Sequence, residues 1–215
     1  MINDVIFTPA DKSRISAYDE WNIVLTKVEN TLPEPKTVTV DIKGNDGLLD
    51  LSEAVSGDIR YTNRKIKLTF DLMNVNDYDG LITEIANAIH GRTVKMQLTS
   101  DENYYYEGRA TISKWECRKR KGTIVINIDA YPFKKALYET TKSIAISGKD
   151  SVVIVADTRK TIVPTLDVTG DVKINGVFVT PGTRQYPEIV LKEGTNSFDV
   201  AGTGTVKFIY REEVL

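Results

Sequence analysis

Gly122-Thr123-Ile124-Val125-Ile126-Asn127-Ile128-Asp129-Ala130-Tyr131-Pro132 sets the reading of this chain. Ile124, Ile126, Ile128 and Ala130 share one face; Val125, Asn127 and Asp129 share the other. Period-two patterning marks a half-buried strand. Pro132 ends it, because proline cannot donate to a ladder. The same alternation recurs upstream. Lys65–Leu72 carries Ile66, Leu68, Phe70 and Leu72 on one face, and Thr93–Thr99 carries Val94, Met96 and Leu98. Lys36–Lys43 carries Val38, Val40 and Ile42 as an inward set, and an earlier strand is expected over Asn22–Val28. One segment breaks the pattern. From Asp77 to His90, Leu81, Ile82, Ile85, Ala88 and Ile89 fall at helical spacing. Asn76 is the expected N-cap and Gly91 the residue past the C-terminus.

A boundary follows Tyr131-Pro132. The chain is read as two domains, 1–135 and 136–215. The second has no helix signal. Its short apolar runs include Ser143–Ile146, Val152–Ala156, Thr165–Val168, Val172–Ile174, Val177–Thr180, Ser197–Val200 and Thr205–Tyr210, separated by turn residues. Asn175-Gly176 between two of them is a two-residue hairpin signal, since a type I′ turn needs positive φ twice. The expected class is mainly β: a split-barrel or β-sandwich with one helix, then a small sandwich or jelly roll.

Composition narrows the chemistry. One cysteine, Cys117, excludes an intrachain disulfide and a Cys-rich zinc site. One histidine, His90, excludes His-ligand clusters. No P-loop, dinucleotide fingerprint, G-x-S-x-G or calcium loop occurs, so no catalytic residue, metal or cofactor is expected. Cys117 reads as a small buried hydrophobe, and His90 as a capping or interface residue. A net charge of −2 gives no global pull toward nucleic acid or an anionic membrane. No apolar run is long enough to span a bilayer. Met1-Ile2-Asn3-Asp4 lacks the basic, then apolar, start of a signal peptide. The product is therefore expected in a cytosol or inside a particle assembled there.

Three clusters stand out. Arg118-Lys119-Arg120-Lys121 reads as a basic hairpin tip, either a solvated turn or a docking loop. Tyr104-Tyr105-Tyr106 beside Arg109 places rings on both faces of a strand. They either line cores on both sides or leave one ring at an interface. Tyr61, Asn63 and Arg64 lie in a polar strand start, with Asn63 and Arg64 expected to bond the loop Gly44–Ser52.

The order of these segments resembles the distal tail protein (Dit) family of long-tailed phages and prophages of Gram-positive hosts. Gly47-Leu48-Leu49-Asp50-Leu51-Ser52 and Tyr61-Thr62-Asn63-Arg64-Lys65-Ile66-Lys67-Leu68-Thr69-Phe70 come first. The helix ending His90-Gly91-Arg92 follows, then Tyr104-Tyr105-Tyr106-Glu107-Gly108-Arg109, and Ala130-Tyr131-Pro132-Phe133 closes the match. The segment 191–200 is similar to the strand-turn-strand of galactose-binding-like, or galectin-like, sandwiches. The resemblance implies a structural virion protein rather than an enzyme: a ring, usually a hexamer, at the distal end of a non-contractile tail. It would join the tail tube to the tail-associated hub protein. Its outer domain would serve as a platform for baseplate or receptor-binding proteins. Tyr61, Asn63, Arg64, His90, Arg92, Tyr104, Tyr105, Tyr106, Arg109 and Tyr131 become interface or structural residues, and Arg118–Lys121 the docking loop. The alternative is a carbohydrate-binding module of a cell-surface-acting protein.

Overall fold

The computed structural model describes residues 4–54, 57–73, 76–118 and 121–215. The chain divides into two compact units, Met1–Pro132 and Phe133–Leu215. In the first unit lie β1 (Val5–Pro9), β2 (Ile15–Ser16), β3 (Ile23–Asn30), β4 (Pro35–Lys36), β5 (Thr39–Asp41), β6 (Leu48–Asp50), β7 (Arg60–Tyr61), β8 (Arg64–Met73), α1 (Tyr78–Ile89), β9 (Thr93–Leu98), β10 (Tyr104–Arg118) and β11 (Lys121–Ala130). The second holds β12 (Lys134–Ala136), β13 (Thr140–Ala156), β14 (Thr165–Ile174), β15 (Val177–Val179), β16 (Gly182–Gln185), β17 (Gly194–Tyr210) and β18 (Glu213–Val214).

The main sheet of the first unit runs β2-β1-β9-β10-β11-β8-β3. Its pairings are antiparallel, and the register places Ile126 opposite Leu68 and Ile112, and Met96 opposite Phe7 and Tyr106. The alternating apolar residues of β8, β9 and β11 therefore meet on one face, where Ile85 and Ile89 of α1 close over them. Lys65, Lys67, Asn127 and Asp129 occupy the other face, with Lys65 2.9 Å from Asp129 and Lys67 3.3 Å from Glu29. The helix starts one residue later than expected. Asp77, not Asn76, caps it, its carboxylate accepting from the Gly80 N–H at 2.8 Å. A carboxylate there also suits the positive end of the helix dipole.

Cys117 is exposed, against the expectation of burial. The cause is topological. β9 pairs with β10 only over Tyr106–Arg109, and a bulge follows between Ile112 and Lys114. Beyond it β10 has β11 on one side only, and residues 114–118 are open to solvent.

In the second unit the sheet order is β13-β17-β14-β15, with β16 also paired to β14. The many short strands expected here are the halves of three long ones that bend through glycines. Gly148 stands opposite Gly202, and Gly170 opposite Gly204. Gly170 has φ +82°, and a Cβ there would lie 2.2 Å from the Thr203 carbonyl oxygen. Only glycine fits both the left-handed backbone and the close approach. Folded over at these corners, β14 and β17 bring Leu166, Val168, Val172, Ile174, Val206 and Phe208 into one buried cluster. Phe198 and Phe208 stack with centroids 5.5 Å apart. Asn175 and Gly176 both have positive φ, 49° and 81°, as the type I′ hairpin requires.

Candidate assembly interface

Between β3 and β8 the chain leaves the sheet and forms a two-stranded arm. β4 pairs with β7, and β5 with β6 in the register Thr39–Asp50, Val40–Leu49, Asp41–Leu48; neither pair joins the larger sheet. The Leu51 N–H donates to the Val38 carbonyl at 2.8 Å. The Val38 N–H donates to Ser52 Oγ at 2.8 Å, and Ser52 Oγ donates to Asp50 Oδ1 at 2.5 Å. These hydrogen bonds from Ser52 hold the Asp50 carboxyl below the usual carboxylate range.

Val38, Val40 and Ile42 were expected to face a core. They do share a face, with Leu49 and Leu51 opposite them, but no described residue buries that face. Val38 is 57% exposed and Leu49 47%. Leu48, on the other face, is 63% exposed, and Leu32 at the arm's base is also exposed. Alternation reports that one face is apolar, not what buries it. Two-stranded hairpins are marginal in water without a packing surface, and a contiguous apolar face of this kind marks an interaction site. No sequence motif flagged the arm's exposed apolar face. The available signal was the turn Gly44-Asn45-Asp46-Gly47 between two short apolar runs, with no third strand in register.

The sequence-selected residues fall into separate groups. His90, Arg92 and Arg109 come together at the end of α1. The Gly91 N–H donates to the Ala110 carbonyl at 2.8 Å, and the Ala110 N–H to the Arg92 carbonyl at 2.9 Å. His90 Nδ1 accepts from the Ile112 N–H at 3.0 Å, and the Arg109 guanidinium donates to the Gly91 carbonyl. Arg109 thus supplies positive charge where the helix dipole is negative. Arg92 meets Asp11 at 2.5 Å and holds that carboxyl below its ordinary range. The group lashes the helix to β10.

Arg64 bonds elsewhere than expected. It is 2% exposed. Its Nε donates to the Pro132 carbonyl at 3.0 Å and its Nη1 to Asn30 Oδ1 at 3.1 Å, while the guanidinium lies 5.5 Å from the centroid of Tyr106. Asn30 Nδ2 in turn donates to the Tyr106 hydroxyl at 3.0 Å. The loop 44–52 belongs to the arm and offers Arg64 nothing. Asn63 is instead near Asp129, whose carboxyl is held low first by Lys65 and then by Asn63.

Tyr105 and Tyr106 are both buried on opposite faces of β10, and Tyr104 is half-buried. Tyr106 belongs to the core, and Lys95 Nζ sits 5.3 Å from the Tyr105 ring centroid. Tyr61 pairs with Pro35 at the base of the arm, and the Tyr131 N–H donates to the Glu107 carbonyl. Arg118 and Lys121 face each other at the end of the β10–β11 hairpin, both exposed. Lys119 and Arg120 lie outside the described residues. Among the described residues no group of three His, Cys, Asp or Glu could hold a metal ion. Among them, too, no helix is long and apolar enough to cross a membrane.

No family model matches the chain, and a search of curated proteins finds no match in sequence. Among solved structures the chain is similar to the SPP1 Dit (gp 19.1) protein, described as a paradigm of the hub adsorption apparatus in phages infecting Gram-positive bacteria. The TM-score is 0.64 at 13% identity, covering 98% of this chain and 99% of that one. The chain has a Dit-like fold, mainly β throughout.

Proposed function

We propose that this chain, with a Dit-like fold over its whole length, is a structural component of a phage or prophage tail. It would form a closed ring at the distal end of the tail, most simply a hexamer. The carrying observation is the arm: five apolar side chains, Val38, Val40, Ile42, Leu49 and Leu51, on one uncovered face. The partner that fits this face is the apolar flank of a neighbouring copy. An arm reaching to a different surface of the next copy is a heterologous contact, which closes into a ring when the rotation between neighbours closes.

Magnitudes favour a ring over a pair. Covering five half-exposed aliphatic side chains contributes roughly 5 kcal/mol at about 1 kcal/mol each. Association costs at least about 4 kcal/mol, so one arm contact alone holds two copies weakly. Closing a ring makes the last contact intramolecular and stabilises every other one.

In this reading the first unit joins the tail tube to the hub protein. The second is the platform for baseplate or receptor-binding proteins, and the hairpin end at Arg118 and Lys121 is a docking point. The particle is the virion, assembled in the host cytoplasm, and the role calls for no catalysis, cofactor or nucleic-acid recognition. Sedimentation velocity on the wild type and on Val40→Asp with Leu49→Asp tests it. The wild type should sediment as a species of more than two copies and the variant as one no larger than two copies, with an unchanged circular dichroism spectrum. A wild type that stays single at tens of micromolar contradicts the proposal.

A further inference from the structure

β13 is an edge strand over its full length. It pairs with β17 from Thr140 to Ala156 without a register shift and, among the described residues, has no strand on its other side. Natural edges are usually blunted by bulges, prolines or charges. Ser151-Val152-Val153-Ile154-Val155-Ala156 has none of these. Val153 and Val155 point outward, 60% and 64% exposed, while Ile154 and Ala156 are buried.

The free backbone groups can be assigned. The Ser151 N–H donates to its neighbour's carboxylate, Asp150 Oδ1, at 2.8 Å rather than across the ladder. The Ile154 carbonyl accepts from Asn196 Nδ2 on the β17 side at 3.3 Å. Hydrogen-bonding direction alternates along an antiparallel strand. Residues 151, 153 and 155 therefore direct their N–H and C=O groups to the open edge, where the Ser151 N–H is held by Asp150.

We propose that this edge pairs antiparallel with the same edge of a second copy, about a two-fold axis at Val153. The register is selected by charge. Centred on Val153, Ser151 faces Val155 of the second copy, and Lys149 faces its Asp157; symmetry makes two such ion pairs. Both side chains are exposed. Centring on Ile154 sets Lys149 against Arg159, a like-charge pair that disfavours that register. Centring on Val152 sets Lys149 against Val155 and Asp157 against Ser147, with no ion pair. Sequence self-complementarity of this kind is what an isologous interface requires. The contact lies wholly in the second unit and so is independent of any ring formed through the arm.

The test uses the full chain with Cys117→Ser, which removes the exposed native thiol. Val153→Cys in that background places two thiols directly opposite on the axis. The Cα separation of about 5.5 Å in a hydrogen-bonded pair is within disulfide range. Mild oxidation should trap a two-copy species. Thr141→Cys, exposed on the same strand but outside the register, should trap none. Adding Lys149→Glu or Asp157→Lys should slow trapping at position 153 about tenfold, and the double reversal should restore it. Equal trapping at 141 and 153, no trapping at 153, or failure of the double reversal to restore it overturns the proposal.

Discussion

Replacing Arg64 with alanine should destabilise the first unit without touching assembly. The guanidinium is buried and makes one hydrogen bond to the buried Pro132 carbonyl and one to Asn30, while its Nη2 has no hydrogen-bond partner. Burial pushes its pKa down, with Tyr106 working slightly the other way. Removing it orphans the Pro132 carbonyl, at about 1–3 kcal/mol. It also loses the stacking on Tyr106, at about 1 kcal/mol. Asn30 is exposed and can bond water instead. Relief of the unpaired Nη2 and of the buried charge offsets part of the loss. The net is about 2–3 kcal/mol. For a unit of this size that lowers Tm by about 8–12 °C. Arg64→Lys keeps the charge but not the two-point geometry, and should fall between the wild type and alanine. Differential scanning calorimetry on the three proteins decides it. A shift below about 2 °C for Arg64→Ala would show that the carbonyl is satisfied without the side chain. An unchanged Tm with lost assembly would place Arg64 at an interface instead.

Other outcomes follow from the same geometry. Gly170→Ala, with its Cβ forced to 2.2 Å from the Thr203 carbonyl, should unfold the second unit at 37 °C while leaving the first unit's calorimetric transition in place. Asp11, Glu29, Glu116 and Asp129 all have carboxyls held low, by Arg92, by Lys27 with Lys67, by Lys114, and by Lys65 respectively. A depressed folded-state pKa contributes stability above the ordinary carboxylate range and loses it as pH falls through the lowered values. Tm should therefore be flat from pH 7 to about 5 and drop below about pH 4, less steeply for Lys65→Met. Changing the exposed Arg118 and Lys121 to Ser should leave Tm within about 1 °C; any defect should appear only in docking to another tail protein in a pull-down.

The sheet of the first unit was legible because its strands are half-buried, so Ile66 to Leu72 and Ile124 to Ala130 each carry the period-two signal. The helix was legible for the matching reason, one apolar face with a glycine after it. Four things were not. The corners at Gly170 and Gly204 depend on two strands crossing closely, a tertiary fact that made long strands read as pairs of short ones. The arm carried the same alternation as a core strand, because an apolar face left exposed and one turned to its own core are identical in sequence. Arg64 was expected to bond the loop Gly44–Ser52 and bonds Pro132 and Asn30 instead. Its partners, Pro132 and Asn30, are brought to it only by the sheet register, so local reasoning assigned it to the nearest loop. Cys117 was misplaced because burial there depends on where β9 stops, far away in sequence.

The central claim is closure of a ring through the arm. Negative-stain imaging of the wild type, beside the Val40→Asp and Leu49→Asp variant, tests it most directly. Wild-type particles should class as closed six-fold annuli, and the variant as small particles of one or two copies with no annuli. Open filaments, two-fold assemblies alone, or rings that persist in the variant would contradict it.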